Sequence, residues 1–264
     1  MIRLILVPLL VTTAQGVGNG VVVNYLHVLS EIQSRFATTD LLSEMENTSG
    51  NDTEIVYTAE LPERAFIKGF YLERDGEIHH GVIKGKEIAQ AEFDEAKERK
   101  KTAGHIRKTN NQMFELKVNL AAHSKIAFNL TYQEVLQKHN YMYKHVVNVN
   151  SSAPILKMEV NVLLADRNNF TTIHVPKFDS GIGELPAAEL MKRPLEPEAV
   201  LQSARDDSGA LAYVQYSPTS SQNGQLVVLY NTSAPSDGSD LEVVNGYFLH
   251  QMSPPENEEV GNKT

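Results

Sequence analysis

Residues 125–136 read KIAFNLTYQEVL, and this stretch decides the fold class. Apolar or aromatic side chains recur there at every second position, at Ile126, Phe128, Leu130 and Tyr132. Successive side chains of a β-strand point to opposite faces, so strict alternation is typical of a strand with one buried face. The stretch therefore predicts a half-buried strand in a sheet that is covered on one side.

Runs of β-branched, aromatic or alternating residues extend this pattern over the chain, at 21–36, 55–61, 65–73, 77–84, 113–120, 141–149, 155–164, 210–216, 225–230 and 241–250. Asp75-Gly76 separates two of these runs, and Asp-Gly is a strong signal for a tight β-hairpin because glycine accepts positive φ. Many short strands with little helix predict a mainly β chain. We expect an antiparallel β-sandwich-like domain with one amphipathic helix, followed by further β-strands.

Two segments depart from the strand pattern. Between 86 and 102, Ile88, Phe93 and Ala96 fall on one face at helical spacing, which predicts an amphipathic helix packed on the sheet. The segment 180–208 contains three prolines and few β-branched residues, which predicts a long loop with a short helix near Glu198–Ala204.

The first sixteen residues, MIRLILVPLLVTTAQG, predict the localisation of the protein. Arg3 precedes a short apolar run, and small residues follow it, as in a cleaved secretory signal peptide. The alternative is a buried N-terminal strand. No later segment is long and apolar enough for a transmembrane helix. We therefore expect a signal peptide at 1–16 and a secreted, extracellular protein.

A secreted chain can carry N-linked glycans, and this one has the acceptor pattern N-x-S/T at several positions. The seven asparagines are Asn47, Asn51, Asn129, Asn150, Asn169, Asn231 and Asn262. Asn129 lies inside the alternating strand and has to point outward to be modified. The pattern predicts a glycoprotein.

The composition excludes several classes of protein. The chain has 264 residues, with 24 Lys and Arg against 33 Asp and Glu, for a formal charge of −9. A chain this acidic is a poor candidate for general nucleic-acid binding. It has no cysteine, which excludes disulfides, thiolate metal sites and cysteine nucleophiles.

Several motifs occur in a recognisable order: Ser34-Arg35-Phe36-Ala37, Leu61-Pro62, Ala65-Phe66-Ile67, Asp75-Gly76, Gly81-Val82-Ile83-Lys84, and the stretches 102–104, 114–119 and 125–136. Together they resemble the VIT domain of inter-alpha-trypsin inhibitor heavy chains. A weaker similarity extends to residues 245–250, which resemble the segment before the von Willebrand A domain of those proteins.

The resemblance implies an extracellular-matrix, hyaluronan-associated context. The expected division is a signal peptide at 1–16, a VIT domain at 17–150, a β-rich extension at 151–250 leading toward an absent von Willebrand A domain, and a disordered tail at 251–264. The cation motif of the A domain and the heavy-chain segment that becomes linked to hyaluronan are not found in this sequence. The resemblance therefore carries over neither cation binding nor hyaluronan linkage. The chain is expected to be either a truncated heavy-chain-like protein or an independent VIT module.

No pattern points to catalysis. His79 and His80 are adjacent on a predicted strand, so their side chains should point to opposite faces and cannot easily share a metal ion. G-x-S-x-G and H-E-x-x-H are both absent. A Ser-His-Asp triad assembles in space and cannot be excluded from sequence. We predict no catalytic, cofactor or metal site, and no enzyme activity.

The one concentrated positive charge begins in the last turns of the predicted helix and continues just beyond it. The candidate polyanion-binding residues are Lys97, Arg99, Lys100, Lys101, Arg107 and Lys108, with His105 among them. Such a cluster can bind sulfated or carboxylated polysaccharides. The alternative is a solvated helix end whose cations complement the helix dipole and pair with nearby acidic residues.

These observations predict a secreted, glycosylated, non-catalytic interaction module of the extracellular matrix. Its expected partners are matrix proteins or glycosaminoglycans. The alternative is a protease-inhibitor-associated chain that acts indirectly, through a complex with a separate inhibitor subunit. Without cysteine, the chain cannot itself contain a disulfide-rich Kunitz inhibitor.

Overall fold

A computed structural model describes residues 20–81, 104–109, 113–139, 142–206, 209–233, 239–244 and 247–252. These ranges are mainly β, which confirms the predicted fold class. The predicted signal peptide at 1–16 and the predicted helix at 86–102 lie outside the described residues.

Within the described ranges up to residue 149 there are ten strands: β1 (Val21–Gln33), β2 (Phe36–Asn47), β3 (Thr53–Glu60), β4 (Phe66–Arg74), β5 (Glu77–His80), β6 (Gly104–Thr109), β7 (Met113–Leu120), β8 (Lys125–Val135), β9 (Lys138–His139) and β10 (Met142–Val149). The second part forms β11 (Met158–Asp166), β12 (Phe170–His174), a 3₁₀ turn (Ile182–Glu184), helix α1 (Ala187–Leu190), β13 (Ala199–Asp206), β14 (Gly209–Tyr216), β15 (Gly224–Thr232), β16 (Ser239–Val244) and β17 (Tyr247–Met252).

The largest sheet has eight strands in the order β13-β14-β11-β1-β2-β8-β4-β5. Its neighbouring strands are antiparallel except for β1 and β11, which are parallel and pair from Leu26↔Met158 to Gln33↔Ala165. The chain enters β11 after β10, which belongs to another sheet, so β11 returns beside β1 in the same direction. Strands from both sides of residue 150 thus share this sheet, while the predicted domain division stays a prediction.

Two smaller sheets complete the sandwich. One has the order β12-β15-β10-β9, and the other β3-β7-β6. Aromatic contacts join the three-stranded sheet to the large sheet: the ring centroids of Tyr57 and Phe128 are 4.6 Å apart, and those of Phe70 and Phe114 are 5.5 Å apart. One buried cluster runs through all three sheets, from Val23 in β1 to Tyr230 in β15.

The local signals that were strongest in sequence are confirmed. Along β8, Ile126, Phe128, Leu130 and Tyr132 are all buried, and the residues between them are half-buried. The predicted hairpin joins β4 to β5, with Asp75 at φ 53° and Gly76 at φ 80°. Positive φ at both central positions is the geometry that Asp-Gly favours.

The strand predicted at 21–36 is confirmed from Val21 to Gln33, but its end is wrong, because the chain reverses at Ser34-Arg35 and continues as β2. Both turn residues have positive φ, 42° and 76°, although neither is glycine. The turn therefore lacks the glycine that marks such reversals in sequence. Two of the buried positions of β2 are the polar residues Thr39 and Ser43. The sequence of β2 therefore lacks the regular apolar alternation that predicts a strand.

The loop predicted at 180–208 is wrong beyond residue 198, and so is the helix predicted near Glu198–Ala204. Residues 199–206 form β13, and the short helix lies earlier, at Ala187–Leu190. β13 is an edge strand, and every residue after Ala199 is exposed. Because neither face of this strand is buried, its sequence does not alternate between apolar and polar residues. The short strand β12 was likewise unexpected. The run at 241–250 divides into the hairpin of β16 and β17.

Candidate functional site

A chain of polar side chains crosses the core between the eight-stranded and four-stranded sheets. His145 of β10 places Nδ1 3.1 Å from Oε1 of Glu134 on β8. Its Nε2 lies 2.9 Å from Oγ of Ser30 on β1. The Ser30 hydroxyl is in turn 3.0 Å from Oγ1 of Thr39 on β2. We call these four residues the core network.

Strand periodicity explains why polar groups meet here. His145 has the same phase on β10 as the buried Tyr143 and Val147, and Glu134 has the same phase on β8 as Tyr132. Each therefore points into the sandwich, where a buried polar group has to find a hydrogen-bond partner. Burial, with a smaller contribution from nearby Glu134, raises the pKa of Tyr132 well above its ordinary value.

The core network has the Ser–His–acid connectivity of a hydrolytic triad, but its exposure is wrong for catalysis. With the imidazole proton on Nδ1, His145 donates to Glu134 and can accept from the hydroxyl of Ser30. Ser30 and His145 are both 0% exposed. A nucleophile has to contact its substrate, and the buried Ser30 cannot do so. The hydrogen bonds of the network instead link β10 of the four-stranded sheet to β1 and β8 of the eight-stranded sheet.

Of the four core-network residues, Glu134 also contributes to the lining of a pocket formed by described residues. The pocket has a volume of about 280 Å³ and lies where β10 meets the end of β3, at the seam between the two smaller sheets. We call it the seam pocket. Its polar lining residues are Glu60, Glu63, Arg64, Glu134, Gln137, Lys144, Asn148, Glu184 and Gln225.

Hydrogen bonds hold the rim of the seam pocket in place. Nδ2 of Asn148 donates to the carbonyl of Glu60 at 2.9 Å. Nε2 of Gln225 donates to Oδ1 of Asn148 at 2.7 Å. Nζ of Lys144 donates to the carbonyl of Gly183 at 2.6 Å. These bonds tie the three-stranded sheet, the four-stranded sheet and the 3₁₀ turn together around the opening.

Comparison with known proteins identifies the first part of this structure. Residues 23–132 match the domain described as the vault protein inter-alpha-trypsin domain, or VIT. The chain contains a VIT domain. The match begins inside β1 and ends inside β8, so the VIT domain supplies β2 to β7 in full.

The similarity to inter-alpha-trypsin inhibitor heavy chains extends beyond the VIT domain. Heavy chain H3 from Pongo abelii is 31% identical over 255 residues, which cover 91% of this chain and 27% of that protein. Human H3 is 30% identical with the same coverage. Mouse heavy chain 4 is 29% identical over 257 residues, covering 92% of this chain and 26% of that protein. The resemblance predicted from the motifs is confirmed, and the chain spans about a quarter of the length of these relatives.

Solved structures align less closely. A protein from Legionella pneumophila aligns with a TM-score of 0.46 and 7% identity over 82% of this chain and 68% of that chain. This likeness is too low to support an argument about the VIT domain or the strands that follow it.

The sequons have different environments in the fold. Asn51 in the VIT domain is exposed, and so are Asn150 and Asn169 beyond it. Asn129, on the outer face of β8, and Asn231 are half-buried. Asn262 lies outside the described residues.

Asn47 is the exception among the described sequons, because it is 0% exposed. Its Nδ2 donates to the carbonyls of Asn51 at 2.8 Å, Leu120 at 3.2 Å and Ala121 at 3.1 Å. A glycan attaches to this nitrogen, and in the folded VIT domain it would displace these bonds.

Most of the candidate polyanion-binding residues lie outside the part of the chain that the structure describes. Lys97, Arg99, Lys100 and Lys101 lie outside the described residues. The backbone places Arg107 and Lys108 on β6, the edge strand of the three-stranded sheet, opposite Glu115 and Phe114. The basic cluster as one surface therefore stays a prediction.

The paired histidines lie on β5 and are exposed. Nε2 of His79 is 3.9 Å from a carboxylate oxygen of Glu77, and the ring of His80 is 6.4 Å from that of Tyr71. Within the described ranges, no group of three or more His, Asp or Glu is placed to hold a metal ion. The described helices include none that is long and apolar enough to cross a membrane.

Sequence reasoning missed the core network and the seam pocket. The sequence does contain one signal for the core network, which is the alternation of buried positions along the strands. Glu134 follows Tyr132 by two residues, and His145 follows Tyr143 by two, so each continues a buried face. A polar residue in phase with a buried face predicts a buried hydrogen bond. The identity of its partner depends on which strands pack together, and the sequence pattern does not contain that information.

Proposed function

We propose that the chain is a secreted, glycosylated, non-catalytic interaction module of the extracellular matrix in a hyaluronan-associated context. The observation that carries this proposal is the similarity to inter-alpha-trypsin inhibitor heavy chains along 91% of the chain. The VIT domain match supports the same family context. The partners are matrix proteins or glycosaminoglycans.

Secretion and glycosylation are supported by the sequence pattern and by exposure. The N-terminal sixteen residues have the order of a signal peptide. Asn51, Asn150 and Asn169 are exposed sequons that a glycan could occupy without disturbing the core. Expression of the full chain in a secretory host, with mass measured before and after glycosidase, tests both points. An intact Met1 or an unchanged mass contradicts the proposal.

A non-catalytic role is supported by the burial of the core network, because its serine and histidine are out of reach of a substrate. Hydrolytic activity in the purified chain that is lost in Ser30→Ala would contradict this part of the proposal.

Polyanion binding is assigned to the basic cluster around Arg99, Lys100 and Lys101. A chain with a formal charge of −9 repels polyanions except where cations are concentrated. Binding to hyaluronan or heparin should weaken steeply as salt rises, because surface contacts are screened over about 8 Å at physiological salt. Changing all three residues to serine should abolish binding.

A matched control removes the same charge elsewhere. Lys157, Lys177 and Lys192 are exposed and lie outside the VIT domain. Their combined change to serine should leave binding nearly intact if the basic cluster is the contact. Equal losses in the two triple variants would show that net charge alone governs binding.

The alternative function is favoured by the names of the relatives, which are inter-alpha-trypsin inhibitor heavy chains. On this reading the chain takes part in a protease-inhibitor complex through a separate inhibitor subunit. The chain has no cysteine and cannot form a disulfide-rich inhibitor domain itself. Inhibition of trypsin by the purified chain alone would contradict both functions as stated.

A further inference from the structure

The lining of the seam pocket includes one buried carboxylate, Glu134, with unused bonding capacity. Glu134 is 8% exposed, and its Oε1 is engaged by Nδ1 of His145. Among the described residues Glu134 makes no other hydrogen bond or ion pair, so its Oε2 has no protein donor there, and the residue lines the pocket. A carboxylate that is removed from water gains strongly from a donor that approaches it.

The cations of the pocket do not supply that donor. Nζ of Lys144 donates to the carbonyl of Gly183 at 2.6 Å and to that of Leu185 at 3.4 Å. The guanidinium of Arg64 donates to the amide oxygen of Gln137 when that amide is oriented to satisfy both groups. Within the described ranges neither cation is ion-paired to Glu134.

The remaining charge of the lining is negative. Glu60, Glu63 and Glu184 join Glu134 around the pocket, against two cations that already have protein acceptors. An anionic ligand would meet these carboxylates and be repelled. A neutral sugar would find no aromatic ring in the lining on which to stack. A cationic group is the ligand class that this arrangement favours.

We propose that the seam pocket binds a lysine or arginine side chain of a partner protein, with Oε2 of Glu134 accepting from its charged group. The volume of about 280 Å³ has room for one such side chain. His145 holds Glu134 from behind and is a positioning residue. The seam pocket is distant in sequence from the basic cluster and opposite to it in charge. Binding of a cationic side chain at the pocket therefore does not depend on polyanion binding at the basic cluster.

The test uses the isotope-labelled full chain and blocked amino acids as probes. Nα-acetyl-lysine methylamide and Nα-acetyl-arginine methylamide are titrated while backbone amide shifts are followed by NMR. Saturable shifts are expected at the pocket, for example at Leu61, Gln137 and Asn148. Nα-acetyl-norleucine methylamide has a similar shape without charge and should give no saturable shift. Equal binding of the norleucine probe overturns the proposal.

Variants separate the carboxylate from the rim. Glu134→Gln keeps the shape and an acceptor for His145, and it should weaken binding of the lysine probe about tenfold or more, as expected for the loss of a charge-assisted hydrogen bond. A second variant is needed in case Glu134→Gln fails to fold. Glu63→Gln and Glu184→Gln change exposed positions of the pocket lining and leave the core network intact. Together they should reduce affinity as well. Glu77→Gln on β5, away from the pocket lining, is the control and should have no effect.

Two outcomes would overturn the proposal in informative ways. Unchanged affinity in Glu134→Gln, or in the double rim variant, would show that the carboxylates do not recognise the probe. Saturable binding of glucuronate at the same amides, without binding of the lysine probe, would assign the pocket to an acidic saccharide through Arg64 and Lys144. Loss of polyanion binding at the basic cluster has no bearing on these readouts, so failure of the proposed function is distinguishable.

Discussion

Replacing His145 with alanine should destabilise the protein by about 3–5 kcal/mol, because the change breaks a buried hydrogen-bonded pair. His145 is 0% exposed and contacts Glu134 at 3.1 Å and Ser30 at 2.9 Å. The variant leaves Oε1 of Glu134 without its donor, whereas the Ser30 hydroxyl keeps its contact with Thr39 at 3.0 Å. Each buried polar group left unsatisfied costs about 1–3 kcal/mol. The lost ring volume adds a cavity term, which overlaps with these costs as the site relaxes.

This loss would be a large share of the total, since domains are usually stable by about 5–15 kcal/mol. The assay is urea denaturation followed by far-UV circular dichroism, with the midpoint and slope compared to wild type. His27→Ala is the matched control. His27 is half-buried on the outer face of β1, and its Nε2 lies 2.9 Å from Nδ2 of Asn161, which also bonds Glu159. The control should cost about 1 kcal/mol or less.

A loss of less than about 1 kcal/mol in His145→Ala would refute the reasoning, because one partner of a buried pair cannot be removed so cheaply. A loss equal to that of His27→Ala would carry the same meaning. Either result would show that the core network does not hold the two sheets together.

Three further outcomes are expected. Phe128→Ala should cost about 3–5 kcal/mol in the same urea assay, because that ring is 0% exposed and leaves a cavity, whereas Phe36→Ala at 39% exposure should cost much less. Burial, followed by nearby Glu196, raises the pKa of Tyr216 from 10.0 to about 12, so its contribution to stability is complete below pH 10 and is lost as pH rises toward about 12. Tyr216→Phe should therefore flatten the fall of the thermal midpoint in that window, and an unchanged profile would contradict the assignment. Asn150→Gln should lower the mass of the secreted chain by one glycan, since Asn150 is exposed, and an unchanged mass would show that this sequon is unused.

Much of the sheet architecture follows from alternation in the sequence. The period-two pattern of β8 predicts its buried face because one side of that strand is covered and the other is not. The Asp75-Gly76 turn is predictable for a similar reason, since its geometry is one that glycine favours.

Other elements depend on contacts that leave no periodic signal. β13 is exposed on nearly every residue, so no buried face imprints a pattern on it. β2 follows a turn at Ser34-Arg35 that adopts positive φ without glycine, and tertiary packing overrides the local preference there. The parallel pairing of β1 with β11 depends on how the chain crosses between layers, which alternation does not encode.

The candidate sites differ in the same way. Sequence alone locates the sequons, but only the fold shows that Asn47 is buried while Asn51 is exposed. Glu134 and His145 are eleven positions apart on strands of different sheets, and their 3.1 Å contact arises from packing. A cluster of charge in sequence is visible at once, whereas a pocket formed at a seam between sheets is not.

Equilibrium binding of the secreted, glycosylated full chain to immobilised hyaluronan and heparin, measured across a salt series, tests the proposed matrix function most directly. We predict saturable binding at low salt that weakens steeply toward physiological salt, where charges are screened over about 8 Å. The triple change of Arg99, Lys100 and Lys101 to serine should abolish it without altering the circular dichroism spectrum. Absence of binding by the wild-type chain at low salt, or undiminished binding by the triple variant, would contradict the proposal.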